Sequence, residues 1–370
     1  MRRSFLVLVP VVALATLSAC GEDPPPPAQA PVATTTPPPP PPPAETAKPV
    51  EAPKLSLADA QKLGLKTAGE ALNGHDPKKF ASVYASDGTI AVAGLNEVQG
   101  QAAIEQNMKE WFETFSKVKF GFSRVWVKND QMAIEWVING KHSGELFGVK
   151  GTEQEIGHSG FSIVSFSPDG KVAQERRYGD LGTVMTQVGA TKAKPRAVPP
   201  VPAMPEMIFA KGAPEEDKNL DVAKAVLASL ESRKEADYMK LVADDIEHDG
   251  LFHLDTAKGK DAAKKFFKAF TTAFPDAKFE VKWGMSNNDY AILETVMTAT
   301  HKGALGQIKA TKRPVSLHLV DVLKIKDGKV ARAWTFQNSL EMQTQLGLFE
   351  VKAATVPASQ AAPKAPAPKK

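Results

Sequence analysis

Val315 to Gly347 reads V-S-L-H-L-V-D-V-L-K-I-K-D-G-K-V-A-R-A-W-T-F-Q-N-S-L-E-M-Q-T-Q-L-G, and this stretch decides the fold because it occurs twice. About 159 residues earlier, Ile156 to Gly189 reads I-G-H-S-G-F-S-I-V-S-F-S-P-D-G-K-V-A-Q-E-R-R-Y-G-D-L-G-T-V-M-T-Q-V-G. Both copies alternate apolar and polar residues, turn at Asp-Gly-Lys-Val, run a second strand and close on Gln-Leu-Gly or Gln-Val-Gly. Asp-Gly between alternating runs signals a hairpin, because both residues tolerate the positive φ that a tight turn needs. A single self-match at so long an offset means two copies of a domain, since solenoid repeats are far shorter.

Working outward, the same order of elements precedes each hairpin. In the first copy Ser56 and Asp59 form a helix start, and Asp76-Pro77 starts a second helix. A strand follows near residues 89–93, and 101–115 is amphipathic with Ile104, Met108, Trp111, Phe112 and Phe115 on one face. Strands are predicted near 118–128, 132–141, 155–167 and 171–178. The second copy repeats this with helices near 217–232, 236–242 and 260–274 and strands near 246–251, 278–284, 290–301, 315–325 and 329–335. Helices ahead of a meander of strands predict an α+β fold: two tandem curved antiparallel sheets, each with helices on one face. The domains are residues 55–190 and 217–350. The stretch 191–216 is proline-rich and reads as a linker, although Met207-Ile208-Phe209 within it is apolar enough to pack on a domain.

The chain has 370 residues, 29 of them proline, and a formal charge of +4 with lysines and acids interspersed. No basic stripe marks a nucleic-acid groove, so nucleic acid is not an expected partner. The one cysteine, Cys20, excludes an intrachain disulfide and a Cys-based zinc site. It ends Leu17-Ser18-Ala19-Cys20, after Met1-Arg2-Arg3 and a short apolar run. That is the shape of a signal peptide, and Leu-Ser-Ala-Cys resembles the bacterial lipobox, which implies lipidation of Cys20. The expected location is the bacterial envelope, anchored to the outer membrane. Residues 21–54 carry two unbroken proline runs and read as a polyproline tether, about 90 Å long when fully extended. Residues 351–370 form an Ala/Pro/Lys tail.

The second copy resembles a known family through Ile246-Glu247-His248-Asp249, Gly259-Lys260-Asp261-Ala262, Phe274-Pro275-Asp276, Thr300-His301-Lys302-Gly303 and Trp334 through Gly347. It is similar to the SnoaL-like polyketide cyclases (ester cyclases) of the nuclear transport factor 2-like superfamily. The first copy matches through Lys141-His142-Ser143-Gly144, Asp169-Gly170-Lys171 and Asp180 through Gly189. The resemblance implies a conical pocket and an acidic general base with histidines beside it. The family's aspartate before the last segment falls on Asp180, and in the second copy on Asn338. Its first-strand His-Asp falls on His248-Asp249, and in the first copy on Ile90-Ala91. Neither copy holds the full set.

Two readings of Asp180 stand. As a base it needs a buried apolar setting that raises its pKa. As a helix cap it exchanges with Asn338 at little cost, and Glu341 completes a capping-box pattern in the second copy. His142 and His301 hold matching places near a strand end, either as pocket histidines or as polar residues of a hairpin end. His248, Asp249, His253 and Asp255 fit no metal-ligand spacing, and no phosphate loop or nucleophile elbow occurs, so no metal or cofactor is expected. His158 and His318 read as satisfied sheet residues. The candidate catalytic residues are Asp180, His142, His248 and Asp249; the candidate pocket residues are Trp126, Tyr178, Trp283, His301, Trp334 and Asn338. The leading expectation is a membrane-tethered protein that binds a small apolar ligand or an envelope protein, its two domains paired as an internal pseudo-dimer. The alternative is an enzyme of the cyclase, isomerase or hydrolase kind.

Overall fold

The computed structural model describes residues 55–191, 194–249 and 256–350. The first copy comprises α1 (Leu57–Gly74), α2 (Pro77–Ala81), β1 (Tyr84–Val92), β2 (Glu97–Gln99), α3 (Gln101–Thr114), β3 (Phe115–Lys128), β4 (Gln131–His142), β5 (Glu155–Phe166), β6 (Val172–Gly179) and α4 (Leu181–Gln187). After β7 (Glu206–Phe209), the second copy repeats the order as α5 (Pro214–Ser232), α6 (Glu235–Leu241), β8 (Val242–Asp249), β9 (Ala257–Lys258), α7 (Gly259–Ala273), β10 (Lys278–Asn287), β11 (Tyr290–Thr300), β12 (Pro314–Lys326), β13 (Lys329–Gln337) and α8 (Ser339–Gln345). Ser56 caps α1 by accepting from the Asp59 amide, and Asp76 caps α2 with Pro77 in its first turn. Both Asp-Gly hairpins form, with Gly170 and Gly328 at positive φ.

The sheets run β2-β1-β6-β5-β4-β3-β7 and β10-β11-β12-β13-β8-β9. They are mixed where a wholly antiparallel meander is expected: β1 lies parallel to β6, and β8 parallel to β13. Helix α3 carries the chain from β2 to β3 at the other side of the sheet, and the meander β3 to β6 runs back until β6 lies alongside β1. The linker is also more ordered than its prolines suggest. Met207 to Phe209 lies in β7, parallel to β3, and α5 begins inside the expected linker with Pro214 in its first turn. Cys20, the tether and the tail lie outside the described residues.

Each sheet packs one face on its own helices. The other faces meet: Trp126, Phe161 and Ile163 of the first copy share a core with Tyr290, Ile292, Val320, Val322 and Phe336 of the second. The mid-sheet strands are therefore buried on both sides, which explains near-continuous apolar runs such as Tyr290 to Leu293. Glu294 is buried within this shared layer, 5% exposed. It accepts from Arg176 Nε at 2.6 Å, Arg176 Nη2 at 2.8 Å and Tyr178 Oη at 2.6 Å, all from the opposite copy. Asn287 adds a buried link by donating to the Val127 carbonyl at 2.9 Å.

Removing Glu294 from this largely buried, bidentate pair leaves the Arg176 charge with only the neutral Gln174 side chain, at 2.7 Å, and costs Tyr178 its acceptor. Glu294→Ala is expected to lower the unfolding free energy by about 3–5 kcal/mol, read by urea denaturation of the protein. A loss below about 1 kcal/mol, as for an exposed pair, means the sheets do not depend on this contact.

Candidate functional site

Strand β6 carries Glu175-Arg176-Arg177-Tyr178, and alternation sends these residues to opposite faces. Arg176 and Tyr178 face the other copy. Glu175 and Arg177 face inward, into a cavity of about 160 Å³ between the first sheet and its helices. Its walls are apolar, including Phe80, Met108, Trp111, Phe122, Ile134 and Trp136. At its polar end Glu175 Oε1 accepts from Ser162 Oγ at 2.7 Å and Arg177 Nε at 2.9 Å. Glu175 Oε2 accepts from Arg177 Nη2 at 2.9 Å and from the Tyr84 hydroxyl. Ser162 Oγ in turn accepts from Trp136 Nε1 at 2.9 Å.

Burial pushes the Glu175 carboxyl up, but the Arg177 charge and the four hydrogen bonds more than offset it, so its pKa lies below the ordinary carboxylate range. Burial, then Glu175, pushes the Tyr84 phenol well up. His158 also lines the cavity, its ring edge-on to Trp136 at 5.5 Å, and burial holds its pKa down so that it is neutral at pH 7. The expectation of a plain sheet histidine therefore misses its place at the cavity wall.

None of the expected catalytic four lines this cavity. Asp180 caps α4, accepting from the Thr183 amide at 3.2 Å and hydroxyl at 2.6 Å. The same carboxylate accepts from the Ser339 amide at 3.0 Å and the Ser339 hydroxyl, at the start of α8. Gly182 permits this approach, since a Cβ there meets Ser339 Oγ at 2.2 Å. His142 is fully buried, bonded to Thr152 Oγ1 at 3.2 Å, and ties down the loop that follows it through backbone bonds to residues 152–154. His301 does the same with Thr311 at 3.1 Å, so both are loop anchors. His248 packs on Phe266 in the second copy, and Asp249 accepts from Arg332 Nη2 at 2.9 Å.

The expected pocket residues also turn elsewhere. Trp126, Tyr178, Trp283 and Trp334 project from the outer sheet faces and build the layer between the copies. Asn338 caps α8 and donates to the Ala93 carbonyl at 3.0 Å. The Glu341 side chain does not close the capping box; it bonds His318, with Oε1 2.7 Å from Nδ1. Sequence reasoning missed Glu175, Arg177, Ser162 and Tyr84. The available signal was charge in mid-strand: three charged residues run together where the second copy has Ala333-Trp334-Thr335.

The second cone packs Phe267, Phe270, Leu293 and Met297 into its core, and the space beside Tyr238, Ile246 and His248 is about 10 Å³. Where the first copy has Ser162, it has Asp321, bonded to Thr335 Oγ1 at 2.6 Å. Among the described residues no cluster of three or more His, Cys, Asp or Glu could hold a metal. His253 and Asp255 lie outside them. No described helix is long and apolar enough to cross a membrane.

Two cones of this design define the nuclear transport factor 2-like fold. The chain belongs to the SnoaL-like polyketide cyclase family, which it matches over residues 63–188 and again over 220–346. Curated proteins yield no match. Among solved structures it is similar to AclR of Streptomyces galilaeus, a proposed hydroxylase, with 27% identity over 36% of this chain and 99% of that one (TM-score 0.33). It is also similar to a proposed SnoaL-like polyketide cyclase from Jannaschia, with 14% identity over 37% and 97% of the two chains (TM-score 0.35). A third is an LEH-like epoxide hydrolase from M. tuberculosis, with 11% identity over 36% and 93% (TM-score 0.31).

Burial pushes the Asp321 carboxyl up to about 6, against a smaller opposing effect of Thr335. Because the folded pKa lies above the unfolded one, stability falls as pH rises from about 4 through 6. Asp321→Asn is therefore expected to stabilise the protein by about 1–2 kcal/mol at pH 8 and by much less at pH 4.5. Equal effects at both pH values, in thermal unfolding, overturn this account.

Proposed function

We propose that this protein is a lipid-anchored component of the bacterial envelope whose first cone binds a small, largely apolar molecule without converting it. The observation that carries the binding role is the cavity itself: about 160 Å³, walled by aromatic and aliphatic side chains, with one polar end. Such a space takes a body of about one ring, because a cavity of similar volume in an engineered protein holds benzene. The packed second cone acts as a support, fixing the outer face of the first sheet in place of a second subunit.

Binding without turnover is favoured by the state of the carboxylates. Proton abstraction needs a carboxylate with a free lone pair and a raised pKa. Glu175 accepts four hydrogen bonds and is held low, and Asp180 caps the junction of two helix starts and does not line the cavity. The anchor rests on the sequence of residues 1–54, where Cys20 follows an apolar run and precedes the proline tether.

Native mass spectrometry of the mature protein is expected to detect a bound small molecule. The adduct should vanish in Ile134→Trp, which fills the cavity, and survive Leu348→Glu on the surface. An adduct indifferent to Ile134→Trp would sink the cavity assignment. For the anchor, a globomycin-type inhibitor should make the precursor accumulate, and Cys20→Ser should move the protein from the membrane to the soluble fraction. Normal maturation in the presence of the inhibitor refutes lipidation.

A further inference from the structure

We infer that the occupant of the first cone is uncharged: a single-ring molecule whose one hydroxyl or carbonyl group meets Tyr84 and Arg177. This rests on the binding role proposed above and specifies the ligand. Each carboxylate oxygen has two lone pairs, and all four on Glu175 are taken by Ser162, Tyr84 and Arg177. Glu175 therefore accepts nothing further from a ligand. Its role is to orient the groups bonded to it.

The charge balance points the same way. Glu175 and Arg177 are the acidic and basic residues among those lining the cavity, and they neutralise each other. His158, the remaining titratable group with basic character at the wall, is neutral because burial holds its pKa down. A carboxylate entering this space loses its water and finds no unmatched cation, and an ammonium finds no unmatched anion. A neutral ligand meets neither cost.

At the polar end the Tyr84 oxygen and the Arg177 guanidinium, which are also hydrogen-bonded to each other, keep capacity for a ligand, while Asn96, Asn107, Thr114 and His158 place further polar groups on the lining. Tyr84 gives its proton to Glu175, and its oxygen keeps lone-pair capacity to accept. Arg177 uses Nε and Nη2 on Glu175, and neither bond engages Nη1. A hydroxyl can donate to the first, and a carbonyl can accept from the second. The second cone offers neither, because Val242 and Thr335 stand in the places of Tyr84 and Arg177.

The test measures binding of five probes of matched size to the mature protein at pH 7: toluene, benzyl alcohol, benzaldehyde, benzoate and benzylamine. Benzyl alcohol and benzaldehyde are expected to bind about tenfold or more tighter than either charged probe. In Glu175→Gln the Arg177 charge is unmatched, and benzoate should gain about tenfold relative to benzyl alcohol. Should that variant not fold, Tyr84→Phe serves: benzyl alcohol should lose about fivefold while toluene is unchanged. Wild-type preference for benzoate or benzylamine overturns this inference and leaves the binding role standing. Failure of all five probes to bind refutes the binding role itself.

Discussion

Glu294 is a carboxylate placed where no water can reach it, and the arrangement of the two copies follows from what it needs. Arg176 and Tyr178 satisfy it only if the outer face of the first sheet lies against the outer face of the second. Burial pushes the Tyr178 phenol up, and Glu294 adds to that, so the hydroxyl stays protonated and keeps donating. Once the sheets meet, the strands at their centres have two buried faces and the helices retain only the inner ones. The four residues Glu175 to Tyr178 then serve two sites at once, the even positions holding the copies together and the odd ones forming the polar end of the cavity. The separation between those sites is the thickness of one strand.

The two copies divide the work of stability and of hollowness. A void of about 160 Å³ costs about 4 kcal/mol at the usual ~24 cal/mol per Å³. The second cone has a space of about 10 Å³ beside Tyr238, Ile246 and His248, whose cost on the same scale is about 0.2 kcal/mol. Its stability reaches the first cone through the shared layer, in which Trp126, Phe161 and Ile292 are each fully or almost fully buried. A buried side chain of that size contributes about 2–3 kcal/mol. The solid copy thus offsets the cavity of the hollow one without closing it.

The doubled hairpin, the caps at Ser56 and Asp76 and the amphipathic α3 were legible because each depends on neighbours in sequence. The face to which a mid-sheet side chain turns was not. Period-two alternation identifies the buried side only when the other side is wet, and here both sides are dry. Trp126, Trp283 and Trp334, expected in the pocket, turn instead to the layer between the copies. The Asp180/Asn338 exchange pointed to capping, but not to a carboxylate shared by two helices from different copies. That contact joins residues 159 apart in the chain. No local pattern records it.

Charge explains why the copies pair with each other rather than each with its like. Glu135 and Glu294 hold matching positions on β4 and β11. The first copy brings Arg124 and Arg176 to the shared layer, whereas the second has Trp283 and Trp334 at those places. In the tandem arrangement two carboxylates face two guanidiniums: Arg176 binds Glu294, and Arg124 binds Glu135 at 2.6 Å while lying 3.8 Å over the Trp334 ring. Two first copies placed face to face would hold four arginines against two glutamates, leaving two positive charges unmatched. Two second copies would hold two glutamates and no counterpart of Arg124 or Arg176. Unmatched charge in a dry layer costs several kcal/mol per ion, so both like pairings are disfavoured by the residues that stabilise the mixed one. The interface is thus built for a chain that carries both copies, and the hollow cone always meets a solid neighbour.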